Sequence, residues 1–180
     1  MKKILLCLSM LVILQSCFWS SESTLTGLSL QESEEFSIQI PESWGAVSQA
    51  DIPTPKSGEV ALAYSSNSER QGYLNNIVVL STPSKSSETS DSLMKNSIQS
   101  LQNDIENFKI IEEKTVSFLD SSNGIIVSYS GKYNTTTPQA TYIQTARICG
   151  DNNYYLTLSL TENLENYDRY EYILQTFTCN

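Results

Sequence analysis

Histidine is missing from this chain of 180 residues. Histidine is the side chain that most often acts as a general base near neutral pH, and it is the commonest ligand of transition metals. A Ser-His-Asp triad or a Cys-His pair therefore cannot form. The sequence also lacks a Gly-rich phosphate loop, a Gly-x-Ser-x-Gly elbow and the usual spacings of metal ligands. We predict that the protein is not an enzyme, has no catalytic residues and uses neither a metal nor a cofactor.

Basic residues are few. Lysine and arginine total 11 against 20 aspartates and glutamates, which gives a formal net charge of −9. Binding to nucleic acid requires clustered positive charge, and electrostatic docking on anionic lipid requires it too. The composition therefore argues against a nucleic-acid partner and against electrostatic attachment to a membrane. Acidic surface charge keeps a small domain soluble and unassociated, so we expect a monomer.

The apolar segments of the sequence are short. The longest covers residues 4–14 and follows Lys2 and Lys3. As a helix it would rise about 16 Å, roughly half of the hydrocarbon thickness of a bilayer. A short positive start followed by an apolar run of this length is typical of a signal peptide, which we assign to residues 1–16.

The end of this segment resembles the lipobox of bacterial lipoproteins. Leu14 matches the lipobox leucine, Ser16 the small residue and Cys17 the obligatory cysteine, while Gln15 is a less usual occupant. The resemblance implies that Cys17 receives a diacylglycerol, becomes the N-terminus after cleavage and carries fatty acyl chains such as palmitate. Two acyl chains give stable anchoring. We predict an extracytoplasmic protein, anchored to a bacterial membrane through Cys17; an ordinary secretory signal with a coincidental cysteine is the alternative.

The rest of the sequence divides into a tether and one domain. Residues 17–35 are rich in Ser, Thr and Glu and show no helical or strand period. This composition predicts a flexible, lipid-anchored tether. Residues 36–180 are numerous enough to form a single globular domain with a hydrophobic core.

Hydrophobic periodicity predicts the elements of this domain. Phe36, Ile38 and Ile40 alternate with polar residues, as in a half-buried strand. An apolar stripe at helical spacing predicts a long amphipathic helix that carries Met94, Ile98, Leu101, Ile105 and Phe108. Further strands are predicted over residues 59–65, 76–81, 114–119, 125–133, 141–149 and 154–161, and a closing helix carries Tyr170, Ile173, Leu174 and Phe177.

Turn residues predict how these elements connect. Trp44-Gly45 follows Pro41 and reads as a turn with an aromatic plug, and residues 66–73 form a polar hairpin connection. Asn123-Gly124 is a strong signal for a two-residue hairpin. Residues 150–153 predict a second tight turn. The order of strands, helix, four strands and helix indicates an α+β fold with an antiparallel sheet covered by helices.

Three segments resemble the Mog1/PsbP-like superfamily. Residues 36–44 match its opening strand followed by Pro-x-x-Trp, and residues 154–161 and 172–177 match its closing strand and its helix ending in Ile-Leu-x-Ser-Phe. The resemblance implies an α/β/α sandwich around a mostly antiparallel sheet. Members include bacterial lipoproteins and binding or assembly factors that act at photosystem II or on a small nuclear-transport GTPase. It therefore implies a binding role without catalysis.

Two cysteines remain for the domain once Cys7 leaves with the signal peptide and Cys17 takes lipid. Cys149 ends one predicted strand, the next strand leads away from it, and the last helix returns to place Cys179 nearby. Because the predicted compartment is oxidising, we expect these two sulfurs to form a disulfide. Reduced thiols, a catalytic thiol or a metal site are the alternatives, and the lack of histidine disfavours the last two.

Partner contacts are expected at aromatic and irregular positions. Trp44 and Tyr133 are possible contact residues, and residues 49–58 and 133–138 interrupt regular structure. We predict a membrane-tethered binding or assembly module whose partner is an envelope protein or glycan. One alternative is a carboxylate-dependent hydrolase of envelope glycans, with candidates Glu112, Glu113, Asp120, Asp151, Glu162 and Glu165. The other is a lipoprotein that only covers the cell surface.

Protein expressed from the complete sequence and purified from bacterial membranes should begin at Cys17 and carry a thioether-linked diacylglycerol there. Intact-mass spectrometry is expected to show the loss of residues 1–16 together with the added acyl mass. An uncleaved start, or an unmodified sulfur on Cys17, would contradict the lipoprotein prediction.

Overall fold

Residues 27–70, 72–161 and 167–180 are described by a computed structural model of the chain. The predicted signal peptide, Cys17 and the first part of the predicted tether lie outside these residues. Within the described ranges, no helix combines the length and the hydrophobicity needed to cross a bilayer.

The described residues form ten strands and two α-helices. In chain order these are β1 (Leu28–Glu32), β2 (Phe36–Pro41), β3 (Trp44–Ala46), β4 (Glu59–Arg70), β5 (Tyr73–Pro83), α1 (Ser90–Asp104), β6 (Glu106–Ser117), β7 (Asn123–Lys132), β8 (Ala140–Cys149), β9 (Asn152–Thr161), α2 (Tyr167–Gln175) and β10 (Thr178–Cys179). A short 3-10 helix, Gln49–Asp51, lies in the long connection between β3 and β4.

The strands form two sheets. Seven strands are ordered β3-β4-β5-β9-β8-β7-β6, and three smaller ones are ordered β1-β2-β10. All neighbouring strands are antiparallel. The prediction of a mostly antiparallel sheet with helices is therefore confirmed.

Both faces of the seven-stranded sheet are covered. On one face, Met94 and Ile98 of α1 pack with side chains of β7 and β8 such as Tyr129. On the other face, Leu174 of α2 and Ile40 of β2 belong to a larger core cluster. The expected α/β/α sandwich is thus only partly right, because one outer layer is completed by the three-stranded sheet.

The alternation predicted for β9 places its large side chains in the larger core. Tyr154, Leu156, Leu158 and Leu160 are at most 1% exposed, and they pack with residues of α2 and β2. Full burial of each leucine contributes about 1.5–3 kcal/mol. Because β9 pairs with β5 on one side and β8 on the other, this row of side chains holds the centre of the domain.

The first strand lies within the segment predicted as a tether. Residues Leu28–Glu32 pair with β2 in antiparallel register, so the prediction of a flexible tether is wrong for these residues. Leu28 and Leu30 alternate with polar side chains, a strand period that the Ser/Glu-rich composition concealed. Leu28 packs against the larger core, whereas Leu30 is 54% exposed.

Helix α1 is shorter than predicted. It begins with a capping box, in which Thr89 accepts a hydrogen bond from the Ser92 amide at 3.1 Å and the Ser92 hydroxyl accepts one from the Thr89 amide at 3.0 Å. The helix ends at Asp104, because Ile105 already has an extended ψ of 123°. Phe108 lies in β6 but packs against the same cluster as Ile105. Apolar residues keep a helical spacing beyond Asp104, so this spacing does not show where the helix ends.

The connection between β6 and β7 also differs from the prediction. Asn123 and Gly124 are the first residues of β7, and the turn occupies residues 118–122, where the Phe118 amide donates to the Ser122 carbonyl at 2.9 Å. Gly124 is needed for packing, since a Cβ there would lie 2.9 Å from the Phe118 ring. The glycine thus marks a close approach of a side chain, and the predicted two-residue hairpin is wrong.

Two other segments that were predicted as connections lie mostly in strands. β4 runs to Arg70 and β5 starts at Tyr73, so much of the connection predicted over residues 66–73 is paired. Trp44 lies in β3, opposite Ser66 of β4, and not in a turn. Ser66 pairs with Trp44, and Glu69 and Arg70 pair with β5, while the register with β5 shifts between Ser65 and Glu69.

Strand β6 forms one edge of the seven-stranded sheet and is irregular. Its register with β7 shifts between Glu106 and Lys109 and again between Ile110 and Glu112, and Asn107 has a positive φ of 55°. Bulges and charged side chains on an edge strand disfavour pairing with another chain. Strand β6 therefore carries two of the features that protect sheet edges.

Cys149 and Cys179 are bonded, with 5.4 Å between their Cα atoms. The disulfide predicted from the chain order is therefore confirmed. Cys149 ends β8, and Cys179 lies in β10 just beyond α2. The bond joins residues that are 30 apart in sequence, which in the chain-entropy model contributes about 3–4 kcal/mol to stability.

An ion pair joins α2 to the sheet. The Lys114 ammonium lies 2.5 Å from the carboxylate of Glu171, whose side chain is 4% exposed against 34% for Lys114. Burial raises the pKa of Glu171, and the hydrogen bond from Lys114 offsets this effect only in part. The same hydrogen bond raises the pKa of Lys114. The charge of the buried Glu171 carboxylate is compensated by the Lys114 ammonium.

We expect Lys114→Met to destabilise the protein more than Glu171→Gln does, because the first leaves a buried carboxylate unpaired and the second removes it. The loss for Lys114→Met at pH 7, measured by urea unfolding, should be about 3 kcal/mol. A carboxyl whose pKa is raised by folding contributes stability at low pH that is lost as the pH rises through the folded-state value. The deficit of Lys114→Met should therefore shrink in mildly acidic buffer, and a deficit that is independent of pH would show this account to be wrong.

Candidate functional site

A cleft lies at the end of the domain that contains the disulfide. It is shallow and open to solvent, with a volume of about 360 Å³ between the β1–β2 turn and the ends of β4, β5 and β9. Its lining residues are Ser33, Glu34, Glu35, Phe36, Glu59, Val60, Ala61, Ser81, Asn152 and Tyr154.

The turn between β1 and β2 supplies two of the cleft carboxylates. Ser33 closes this turn, since its backbone amide donates to the Phe36 carbonyl at 2.9 Å and its hydroxyl accepts from the Phe36 amide at 3.1 Å. The same hydroxyl accepts from the Glu35 amide at 3.3 Å. A serine that satisfies the local amides is typical of such turns. The closed turn places Glu34 and Glu35 at the rim of the cleft.

Glu35 is held in place by β9. Its carboxylate accepts hydrogen bonds from the Asn152 amide group at 3.0 and 3.1 Å and a short one from the Tyr154 hydroxyl. Burial and the hydrogen bond to Glu35 raise the pKa of Tyr154 to about 12. Tyr154 therefore keeps its proton at neutral pH and donates it in this hydrogen bond.

Aromatic side chains form a rigid support beneath the cleft. The Phe36 ring lies 5.0 Å from the Tyr154 ring and 4.9 Å from the Phe177 ring, between centroids. All three side chains are at most 3% exposed. Offset aromatic pairs at such distances add to the stabilisation from burial alone, so the floor of the cleft belongs to the larger core.

The charge of the cleft is negative. Glu34, Glu35 and Glu59 contribute carboxylates, and the described lining includes no lysine or arginine. A surface of this kind favours a group with positive charge or several hydrogen-bond donors. Across residues 27–70, 72–161 and 167–180, no three Cys, Asp or Glu side chains are grouped so that they could hold a metal ion.

The two aromatic residues predicted as partner contacts lie elsewhere. Trp44 is half-buried in β3 and packs on Tyr170 of α2, with 6.3 Å between ring centroids. Tyr133 is 63% exposed and follows the end of β7. Neither residue lines the cleft, and their use as contacts stays a prediction.

The carboxylates named for a hydrolase are not gathered in the cleft either. Asp120 lies 2.6 Å from Arg147, and Glu112 lies 3.7 Å from Lys114. Burial opposes the charged form of Asp120, but hydrogen bonds from Ser122 and Arg147 outweigh this effect and lower its pKa. Glu113 and Asp151 are exposed and do not line the cleft, while Glu162 and Glu165 lie outside the described residues.

Sequence reasoning missed the residues that form the cleft. Glu35 was assigned to the tether, and its partners Asn152 and Tyr154 follow it by 117 and 119 positions. The tight turn at Gly150, which has a positive φ of 57°, was predicted and marks the start of β9. To predict that Glu35 lies beside that turn, one would have to know that β2 pairs with the C-terminal strand β10.

Several solved structures share this fold. The solution structure of cyanobacterial PsbP (CyanoP) from Synechocystis sp. PCC 6803 has a TM-score of 0.57 and 14% identity, covering 93% of this chain and 99% of that one. PA94 of Pseudomonas aeruginosa, described as a protein of unknown function and putative regulator, has a TM-score of 0.54 and 11% identity, covering 83% and 95%. The Ran-binding protein Mog1p of Saccharomyces cerevisiae has a TM-score of 0.54 and 10% identity, covering 84% and 96%.

These likenesses show the PsbP/Mog1-like fold expected from the sequence. Identities of 10–14% extend to the fold alone. No protein-family model and no curated protein matches the chain.

Removal of one hydroxyl tests the hydrogen bond to Glu35. Tyr154→Phe should lower the free energy of unfolding by about 1.5 kcal/mol, since hydrogen bonds to charged groups contribute about that much. Tyr133→Phe, which removes a hydroxyl from an exposed ring, is the matched control and should change little. The contribution of Tyr154 should be present below pH 10 and be lost as the pH rises toward its folded-state pKa of about 12. Equal effects of the two substitutions in denaturant titrations would show that the hydrogen bond does not stabilise the cleft.

Proposed function

We propose that this chain is a lipid-anchored binding or assembly module of the bacterial cell envelope, without catalytic activity. In this proposal the acidic cleft is the contact surface, and it lies at the end of the domain opposite the point where the anchor attaches. The observation that carries the proposal is the direction of β1 and β2. They connect the point where the chain enters the domain with the turn that lines the cleft.

The described chain enters the domain at the end opposite the cleft. The Glu42 amide donates to the Gly27 carbonyl at 2.8 Å, and Leu28 pairs with Pro41 at the far end of β2. From Pro41 back to Phe36, β2 spans about 17 Å. Lipid on Cys17 would lie within about 35 Å of Gly27 even with the chain fully extended. Such an anchor would attach to the domain at the Gly27 end and leave the cleft at the opposite end uncovered.

Two further observations support this location and role. The Cys149–Cys179 disulfide is typical of a compartment outside the cytoplasm. The fold is shared with Mog1p, a Ran-binding protein, so this architecture can carry a protein-binding surface. Fold alone does not determine function, and the proposal therefore rests on the cleft and on the direction of the chain.

The chemistry of the cleft favours a basic partner. Its carboxylates include Glu34 and Glu59 at exposed positions, on a chain with a net charge of −9. Complementary charge steers association and fixes orientation more than it raises affinity. We therefore propose that the partner is an envelope protein that presents a lysine- or arginine-rich segment.

Site-specific crosslinking in intact cells tests the contact surface. A photocrosslinking amino acid in place of Glu34 should capture a reproducible protein partner. The same amino acid in place of Glu42, which is exposed at the Gly27 end, is the matched control and should not. Mass spectrometry of the adducts identifies the partner. No adduct from position 34, or equal adducts from both positions, would count against the cleft as the contact surface.

A second comparison uses two glutamates of one strand. Glu59 lies in the cleft at the start of β4, and Glu69 is exposed near the other end of the same strand. With the crosslinker at position 34, Glu59→Lys should reduce the adduct about tenfold because it reverses a charge in the contact surface. Glu69→Lys makes the same charge change outside the cleft and should leave the yield unchanged. Equal losses would indicate an effect of net charge alone.

A further inference from the structure

We infer that the Cys149–Cys179 disulfide is a redox-sensitive latch on the cleft, whose reduction releases the turn that carries Glu34 and Glu35. The mechanical part of this inference stands on hydrogen bonds around the two sulfurs. Only its effect on partner binding rests on the function proposed above.

One side of the latch is the C-terminal strand. Cys179 pairs with Phe36 of β2. The next residue, Asn180, holds the turn of residues 33–35 that precedes β2. The backbone amide of Asn180 donates to the Glu35 carbonyl at 3.0 Å, and its side-chain amide donates to the Ser33 carbonyl at 2.8 Å. Asn180, the residue next to Cys179, therefore holds two backbone carbonyls of this turn.

The other side of the latch is the tight turn after β8. Cys149 pairs with Asn152, and Asn152 donates the two hydrogen bonds to the Glu35 carboxylate. The disulfide thus joins Cys149, the pairing partner of Asn152, to the strand that pairs with Phe36 beside Glu35. Because a disulfide limits the separation of the two Cα atoms, it limits how far these two supports can move apart.

Strand β10 is short, and the disulfide is its one covalent tie to β8. Its two residues, Thr178 and Cys179, pair with Ser37 and Phe36 of β2, and the hydroxyls of Thr178 and Ser37 lie 2.7 Å apart. A strand this short is marginal without further support. Phe177, immediately before it, is completely buried, so loosening should stop there. Reduction is expected to free residues 178–180 and the 33–35 turn while the core stays folded.

The chemistry requires a dithiol reductant, such as an envelope dithiol protein or dithiothreitol. Cys179 is half-buried on an edge strand, whereas Cys149 is buried, so Cys179 is the more accessible residue of the two. A reductant thiolate attacks this sulfur, the disulfide breaks, and Cys149 leaves as a thiolate that takes a proton. The second reductant thiolate then attacks the mixed disulfide and releases Cys179, which is protonated in turn. Two electrons pass to the protein, and the reductant becomes a disulfide.

Hydrogen exchange of the full-length lipoprotein in detergent, with and without dithiothreitol, tests the latch. Amides of residues 33–37 and 178–180 should exchange about tenfold faster after reduction, while those of β7 keep their protection. Mass analysis after thiol alkylation verifies that both cysteines are reduced. Unchanged exchange at residues 33–37 in fully reduced protein would overturn the inference, as would a loss of protection throughout the domain.

Two variants separate the latch from other effects of the reductant. Asn180→Gly keeps the disulfide but removes the side-chain hydrogen bond to the 33–35 turn, and it should speed exchange there without reduction. The double variant Cys149→Ser with Cys179→Ser should match reduced protein and show no response to dithiothreitol. If it responds, the effect does not come from the disulfide, and the inference fails.

The exchange experiment needs no partner, so its outcome is independent of the proposed function. If residues 33–37 loosen on reduction and crosslinking from position 34 also falls, the latch controls binding. If the oxidised protein shows no crosslinking from position 34, the proposed function is wrong and the mechanical latch still stands. If crosslinking occurs but is equal in both redox states, the regulatory part of the inference is wrong.

Discussion

Burial of one face of β9 is the constraint on which the rest of the structure depends. Leu156, Leu158 and Leu160 have no exposed surface, and they can be covered only if β2 and α2 pack against that face. The strand is paired on both sides, so these contacts also fix β5 and β8. Tyr154 continues the same row to the end of the strand, where its hydroxyl meets Glu35. The cleft is thus an extension of the core, and its shape follows from the packing of apolar side chains.

Local patterns in the sequence were enough to predict much of this architecture. Alternation of apolar and polar residues identified β2 and β9, because one face of each strand packs in the core and the other face is less buried. The disulfide followed from chain order, since an antiparallel strand and a returning helix bring Cys149 and Cys179 to the same end. Patterns failed where tertiary contacts decide. Gly124 resembled a turn residue but makes room for Phe118, and Phe108 continued a helical spacing from within a strand.

The cleft could not be predicted, because its parts are distant in sequence and become neighbours only through strand register. Glu35 belongs to a segment whose composition indicates a tether, and its partners Asn152 and Tyr154 belong to β9. Aromatic residues and surface carboxylates were poor indicators of where the cleft lies. Trp44 packs against α2, and Asp120 pairs with Arg147. Both kinds of residue have structural uses that a sequence does not distinguish from contacts with a partner.

The irregular edge at β6 would matter for a domain concentrated on a membrane by the proposed lipid anchor. Molecules confined to a membrane meet one another at a far higher local density than in the surrounding solution, and repeated encounters favour growth of a sheet from chain to chain. The shifts in register along β6 and the left-handed Asn107 disfavour the alignment of a second chain along this strand. On the lipid anchor proposed above, this edge of the seven-stranded sheet would therefore be a poor template for pairing between neighbouring molecules.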